Sequence, residues 1–249
     1  MNKRWLCLLL ITAILVMLVA CGSEEATVSE ETVQETAETV PQKTSIPVSS
    51  VPDNLLGYNS DTLYTNELLQ IQLELPADWY FYGSSRLATL SGITLGEDED
   101  ATQERFIAAL KANGIVYDMA AYEAEGEDMV SVVFEHMGFL YGENMTEQQF
   151  AEMKLEHYSG RFSGIDVGAT DLQISTINLA GADHPCLQFI SSDNGQTLHK
   201  TIVFVQTGDF MAVICASSPY EGDDVSIIDD FSYFEAVTAD VEEETTPEE

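Results

Sequence analysis

The chain has 249 residues, 43 acidic side chains against nine basic ones, and a formal charge of −34. A surface of that sign repels nucleic acid and anionic polymers, so those partners are excluded. Residues 55–234 alone carry 29 acids and six bases, net −23, so the central region is itself acidic. It would attract cations or basic proteins, although a solvated acidic surface explains the composition without a dedicated cation site.

The chain opens Met1-Asn2-Lys3-Arg4, followed by an apolar run from Trp5 to Ala20 broken only by Thr12. A membrane-spanning helix needs roughly 20 apolar residues, and this run is shorter. A basic start, a short apolar run and a small residue at its end describe an export signal over residues 1–20. The run ends Leu18-Val19-Ala20-Cys21-Gly22, which resembles the lipobox of bacterial lipoproteins. The resemblance implies that the Cys21 thiol takes a diacylglyceryl group as a thioether. Cleavage between Ala20 and Cys21 then frees an amine open to a further acyl chain. Two acyl chains hold a protein at a bilayer where one binds only marginally. The expected address is therefore the extracytoplasmic face of the cell membrane. An ordinary secretory leader with an incidental cysteine is the competing reading.

Residues 21–57 are rich in Glu, Thr, Ser, Val and Pro and show no apolar period, so they are expected to form a disordered acidic stalk. As a coil this stalk would span roughly 30–35 Å. Residues 58–238 are long enough for one domain with a real core. Within it, Leu68–Leu75 alternates, with Leu69, Ile71, Leu73 and Leu75 on one face, and Pro76 ends this predicted strand. Four aromatics follow, Trp79-Tyr80-Phe81-Tyr82; in a strand, two enter the core and two stay partly exposed, which plain packing explains, with a recognition edge as the alternative reading. Ser84–Leu90 suits a short helix. Ala101–Ala112 reads as an amphipathic helix with Phe106, Ala109 and Leu110 inward, acids 97–100 before it, and Asn113-Gly114 at its end.

Val116–Tyr122 and Met129–Met137 read as a hairpin joined by Glu125-Gly126-Glu127-Asp128. Thr146 and Gln149 match a capping box. The helix they open carries Phe150, Met153, Tyr158 and Phe162 inward and is closed by Gly160 or Gly164. Strands are predicted at Leu172–Leu179, Cys186–Ser191, Thr197–Gln206 and Phe210–Ser217, with turns at Asn194-Gly195 and Gly208-Asp209. A closing helix over Val225–Val237 would hold Ile227, Ile228, Phe231 and Phe234. Residues 239–249 form an acidic tail of the stalk's disordered kind.

Short turns between strands predict an antiparallel sheet. Thr201–Val205 is apolar on both faces, so helices should cover both sides of that sheet. The fold class is α+β, an antiparallel β-sheet flanked by helices on both faces. Ile71-Gln72-Leu73-Glu74-Leu75-Pro76-Ala77-Asp78-Trp79 resembles the strand, Pro, two residues, Trp opening of PsbP-like domains. Tyr117-Asp118-Met119 after a helix, and the late hairpin ending at Phe210, are similar to lipoproteins with that fold. The resemblance covers about 62–234. It implies an α-β-α sandwich that serves as a binding or accessory module, with no shared active site.

Direct searches for chemistry return little. His136, His157, His184 and His199 lack the spacing that puts two ligands on one helical face. Gly-x-Ser-x-Gly is absent, Ser84, Ser85 and Ser163 sit in turn-like contexts, and Gly160, Gly164 and Gly168 read as loop glycines. Glu97–Asp100 lacks the alternating ligands of a calcium loop. Once Cys7 leaves with the signal and Cys21 is acylated, Cys186 and Cys215 remain, read as two buried, unbridged thiols. No catalytic, cofactor-binding or metal residue is expected, and no cofactor. The expected function is a non-catalytic, membrane-anchored module that captures an envelope protein, peptide or solute. A chaperone for exported proteins and a metal-dependent surface hydrolase are the alternatives.

Overall fold

The structure is a computed structural model that describes residues 47–48, 50–96, 100–124, 128–160, 169–193 and 196–235. The predicted signal, Cys21 and the tail 239–249 lie outside these residues, as do Glu97–Glu99, Glu125–Glu127, Phe162, Ser163, Gly164, Gly168 and Asn194-Gly195.

Strands β1 (Tyr58–Asn59), β2 (Leu63–Asn66) and β3 (Ile71–Glu74) join the late strand β11 (Phe231–Tyr233) in a four-stranded antiparallel sheet, order β1-β2-β3-β11. A second sheet contains β4 (Trp79–Phe81), β5 (Ile115–Glu123), β6 (Met129–His136), β7 (Thr170–Leu179), β8 (Ala182–Asp193), β9 (Gln196–Thr207) and β10 (Phe210–Ser218). Its order is β4-β5-β6-β10-β9-β8-β7, and every pairing is antiparallel. Among the described residues five helices pack around the sheets: α1 (Ser84–Leu90), α2 (Gln103–Asn113), α3 (Met137–Tyr141), α4 (Glu147–Tyr158) and α5 (Asp223–Asp229).

Strand β9 shows how the layers form. Val203 and Val205 enter a core shared with Tyr64, Leu73 and Phe231 of the small sheet, Leu87 and Leu90 of α1, Phe106 and Leu110 of α2, and Ile227 and Ile228 of α5. Ile202 and Phe204 enter a second core with Phe150 and Ala151 of α4, Met137, Leu187 and Met211. The seven-stranded sheet is thus buried on both faces, as the two-sided apolar run predicts, and the fold is α+β. Burying a side chain such as Phe204 or Phe150 contributes about 1.5–3 kcal/mol each.

Local signals set the element ends. The α4 capping box is formed in both directions: the Gln149 N–H donates to Thr146 Oγ1, and the Thr146 N–H donates to Gln149 Oε1. Gly114 ends α2 with φ +74, and a Cβ there would stand 2.4 Å from Phe139 Cδ1, so only glycine fits.

Three expectations change. The alternating segment Leu68–Leu75 yields a shorter strand, because Asn66 Oδ1 takes the Leu69 N–H and Gln70 turns at φ 55. The closing helix stops at Asp229, and Phe231 belongs to β11. Asp223 and Asp224 suit that helix's start, whereas Asp229 and Asp230 oppose its negative end. The single sheet becomes two, since the short strands β1, β2 and β11 carry little apolar alternation. Apolar packing also begins ahead of residue 58: Leu55 is fully buried, and Val48, Val51 and Leu56 lie against the first core.

Candidate functional site

After Pro76 ends the β3 segment, Asp78 adopts φ 70 and turns the chain into β4. Trp79 and Phe81 pack against the first core and Tyr82 does so too, while Tyr80 is the exposed one; Tyr80 and Tyr82 both lie beside β5. There they meet Tyr122 of β5, directly opposite Tyr80 in the register. The Tyr82 and Tyr122 rings stack at 4.9 Å, and Tyr80 leans on Tyr122 at 6.1 Å. Tyr80 remains 51% exposed, and burial raises the Tyr82 phenol pKa. The result is a ledge of three tyrosines at one end strand of the large sheet.

Cross-strand position also explains what the sequence could not show. Tyr122 is unremarkable by itself and becomes part of the ledge only through a pairing 42 positions away in sequence. Of the four consecutive aromatics, Tyr80 alone is left exposed.

A second surface feature lies at the opposite end of that sheet. The β8–β9 ladder begins at Cys186↔Val203, next to Pro185, which has no N–H to offer. Glu147, the first residue of α4, occupies the opening: its Oε1 accepts the Gln206 N–H at 2.8 Å and its Oε2 lies 3.0 Å from His184 Nδ1. Thr146, Thr176, Asp183 and Pro185 complete a shallow groove of about 400 Å³. Both Glu147 oxygens are engaged within the fold, which makes this carboxylate a clasp between α4 and the sheet.

Two buried polar groups hold layers together. Asp118 is the extra residue of a β-bulge between Tyr117 and Met119. Its carboxyl group accepts from the Gly57 N–H at 2.8 and 3.0 Å, from the Tyr64 O–H at 2.8 Å and from Asn66 Nδ2 at 3.1 Å. Burial pushes its pKa up to about 6, against the three donors that pull it down. On the other face, Lys154 of α4 donates to both oxygens of Glu135, at 3.0 Å each, and to Tyr141 Oη at 2.9 Å, while Tyr141 donates to Glu135. The Lys154 ammonium also lies 5.0 Å from the centre of the Phe150 ring. The Tyr117 hydroxyl, nearby on β5, is buried without a hydrogen-bond partner among the described residues.

The four histidines have separate surroundings. His136 Nδ1 accepts the Phe139 N–H to cap α3, with the ring set edge-on to Phe210, and burial lowers its pKa. His157 lies against Tyr158, His184 meets Glu147, and His199 pairs with Ile190 across β8 and β9. Among the described residues no group of three or more His, Cys, Asp and Glu side chains is placed to hold a metal. Ser84 and Ser85 open α1. Cys186 and Cys215 are free thiols. They stand on β8 and β10 with β9 between them: Cys186 is opposite Val203 and Cys215 opposite Ile202, so they point to opposite faces.

Among the described residues no helix is long and apolar enough to cross a membrane. No family model matches the sequence, and no curated protein does. Solved structures give distant likenesses. The crystal structure of LpqN from Mycobacterium tuberculosis, involved in cell envelope biogenesis, is 11% identical with a TM-score of 0.36, over 66% of this chain and 83% of that one. The solution structure of the cyanobacterial PsbP (CyanoP) from Synechocystis sp. PCC 6803 is 10% identical with a TM-score of 0.40, over 71% and 95%. A protein from Bacteroides thetaiotaomicron is 10% identical with a TM-score of 0.35, over 70% of this chain and 49% of that one.

Proposed function

We propose that this chain is a lipoprotein held on the extracytoplasmic face of the cell membrane through Cys21, and that its α+β domain acts there as a non-catalytic binding or accessory module. The observation that carries the reading is the order Leu18-Val19-Ala20-Cys21 directly after a basic, apolar leader. Exported two-chain anchoring follows from the chemistry of that cysteine. The Pro76–Trp79 opening, which resembles that of PsbP-like domains, supports the accessory role. So does the tyrosine ledge, because exposed aromatic rings on a rigid strand suit recognition. Lipid and stalk would place that ledge at the envelope surface and hold it close to envelope partners.

The test is crosslinking in intact cells, comparing the native chain with Cys21→Ser. The native chain should fractionate with membranes and form a discrete adduct with an envelope component. Cys21→Ser freed of residues 1–20 should leave the membrane fraction and lose the adduct. Membrane retention of a Cys21→Ser chain without residues 1–20 would contradict the anchor, and a native chain without any adduct would contradict the module.

A further inference from the structure

We infer that the outer edge of β4 receives an extended, basic polypeptide segment, which pairs with the backbone of Trp79–Phe81 and sets a lysine or arginine over Tyr80 and Tyr122. This rests on the binding-module reading and names the chemistry of its partner.

The backbone comes first. The Ala124 N–H donates to Asp78 O at 2.9 Å and the Tyr82 N–H to Ala120 O at 2.8 Å, so even-numbered residues bond to β5. By antiparallel alternation, the N–H and C=O of Phe81 and the C=O of Trp79 point the other way. β4 ends its sheet, and among the described residues no strand pairs with that outer side. An edge of this kind accepts an added strand, whose alternate side chains then decide specificity.

The side chains come second. A strand laid along β4 places every other residue over the face that carries Tyr80. Tyr80 is half-exposed and braced by Tyr122, and tyrosine ring faces attract ammonium and guanidinium groups. Arg86 of α1 lies close enough to Tyr82 to lower that phenol's pKa against the effect of burial, so the incoming cation belongs at the Tyr80–Tyr122 end.

Charge selects the partner. Residues 55–234 carry net −23. An acidic segment is repelled and a basic one is drawn in. A second copy of this chain carries the same negative charge, which disfavours pairing of β4 with β4.

The experiment uses the full chain in detergent micelles, titrated at low salt with a synthetic peptide of alternating arginine and valine, and with the same peptide carrying glutamate for arginine. The arginine peptide should bind and the glutamate peptide should not, with Kd rising as salt is added. Tyr80→Ala should weaken binding roughly tenfold and Tyr80→Phe should retain it, because the ring face and not the hydroxyl is used. Tyr233→Ala, an exposed tyrosine on the small sheet, should bind as the native chain does. No binding of the arginine peptide, equal binding by Tyr80→Ala, equal binding of both peptides, or dimers of the native chain through β4 would each overturn the inference. If such a failure accompanies an envelope adduct formed through another surface, the module reading stands and only the basic-segment inference falls.

Discussion

Asp118 concentrates the physical tension of this molecule in one side chain. Three donors favour its carboxylate, yet burial holds its pKa up to about 6, against 3.8 for an unperturbed group. The folded state therefore binds the proton more tightly than the unfolded state. The stabilisation from that proton is fully present below about pH 4 and is lost as pH rises through about 6, a change of about 3 kcal/mol. Self-repulsion of the other acids also varies with pH, so the informative quantity is the stability of the native chain minus that of Asp118→Asn. Urea unfolding at intervals from pH 4 to pH 7 should show that difference falling; a constant difference would contradict the assignment. Lys154 makes a complementary case. It and Glu135 are only 6% and 2% exposed, so Lys154→Met strands a buried carboxylate and should cost about 3–5 kcal/mol in urea unfolding. Removing both charges with Glu135→Leu in the same chain should recover much of that loss, because the desolvation cost disappears with the pair.

At the scale of elements, what could be read in the sequence was what local chemistry decides. Thr146 and Gln149 announce α4 because both halves of the capping box lie within four residues, and Asn113-Gly114 announces the end of α2 because only glycine accepts that backbone turn. Thr146→Ala should lower stability by about 1 kcal/mol in thermal or urea unfolding, with Thr146→Ser nearly neutral. Strands that depend on distant partners were not legible. β2 reads Leu-Tyr-Thr-Asn, without a period, and becomes a strand because β1 and β3 lie on either side. Phe231 and Phe234 continue a helical spacing from Ile227 and Ile228, yet paired aspartates close the helix and Phe231 pairs with Leu73 of β3. The tyrosine ledge was half legible. Alternation separates exposed Tyr80 from its neighbours Trp79 and Phe81, but Tyr122 joins Tyr80 only through strand pairing. The clasp of Glu147 on Gln206 and His184 left no local trace, since its partners are distant in sequence.

Across the whole molecule, the layers and the charge divide the work. Two cores lie one on each face of the seven-stranded sheet, and β4 is an end strand of that sheet. The acidity of the domain would disfavour polyanions and favour basic partners. The proposed anchor at Cys21 would make this domain a surface component, and the proposed accessory role depends on it. Intact mass measurement of the chain recovered from membranes tests that dependence most directly. The account predicts a polypeptide beginning at Cys21 and heavier than its sequence by a diacylglyceryl group, an added mass absent from Cys21→Ser. A native product with an unmodified cysteine, or one still carrying residues 1–20, would contradict it.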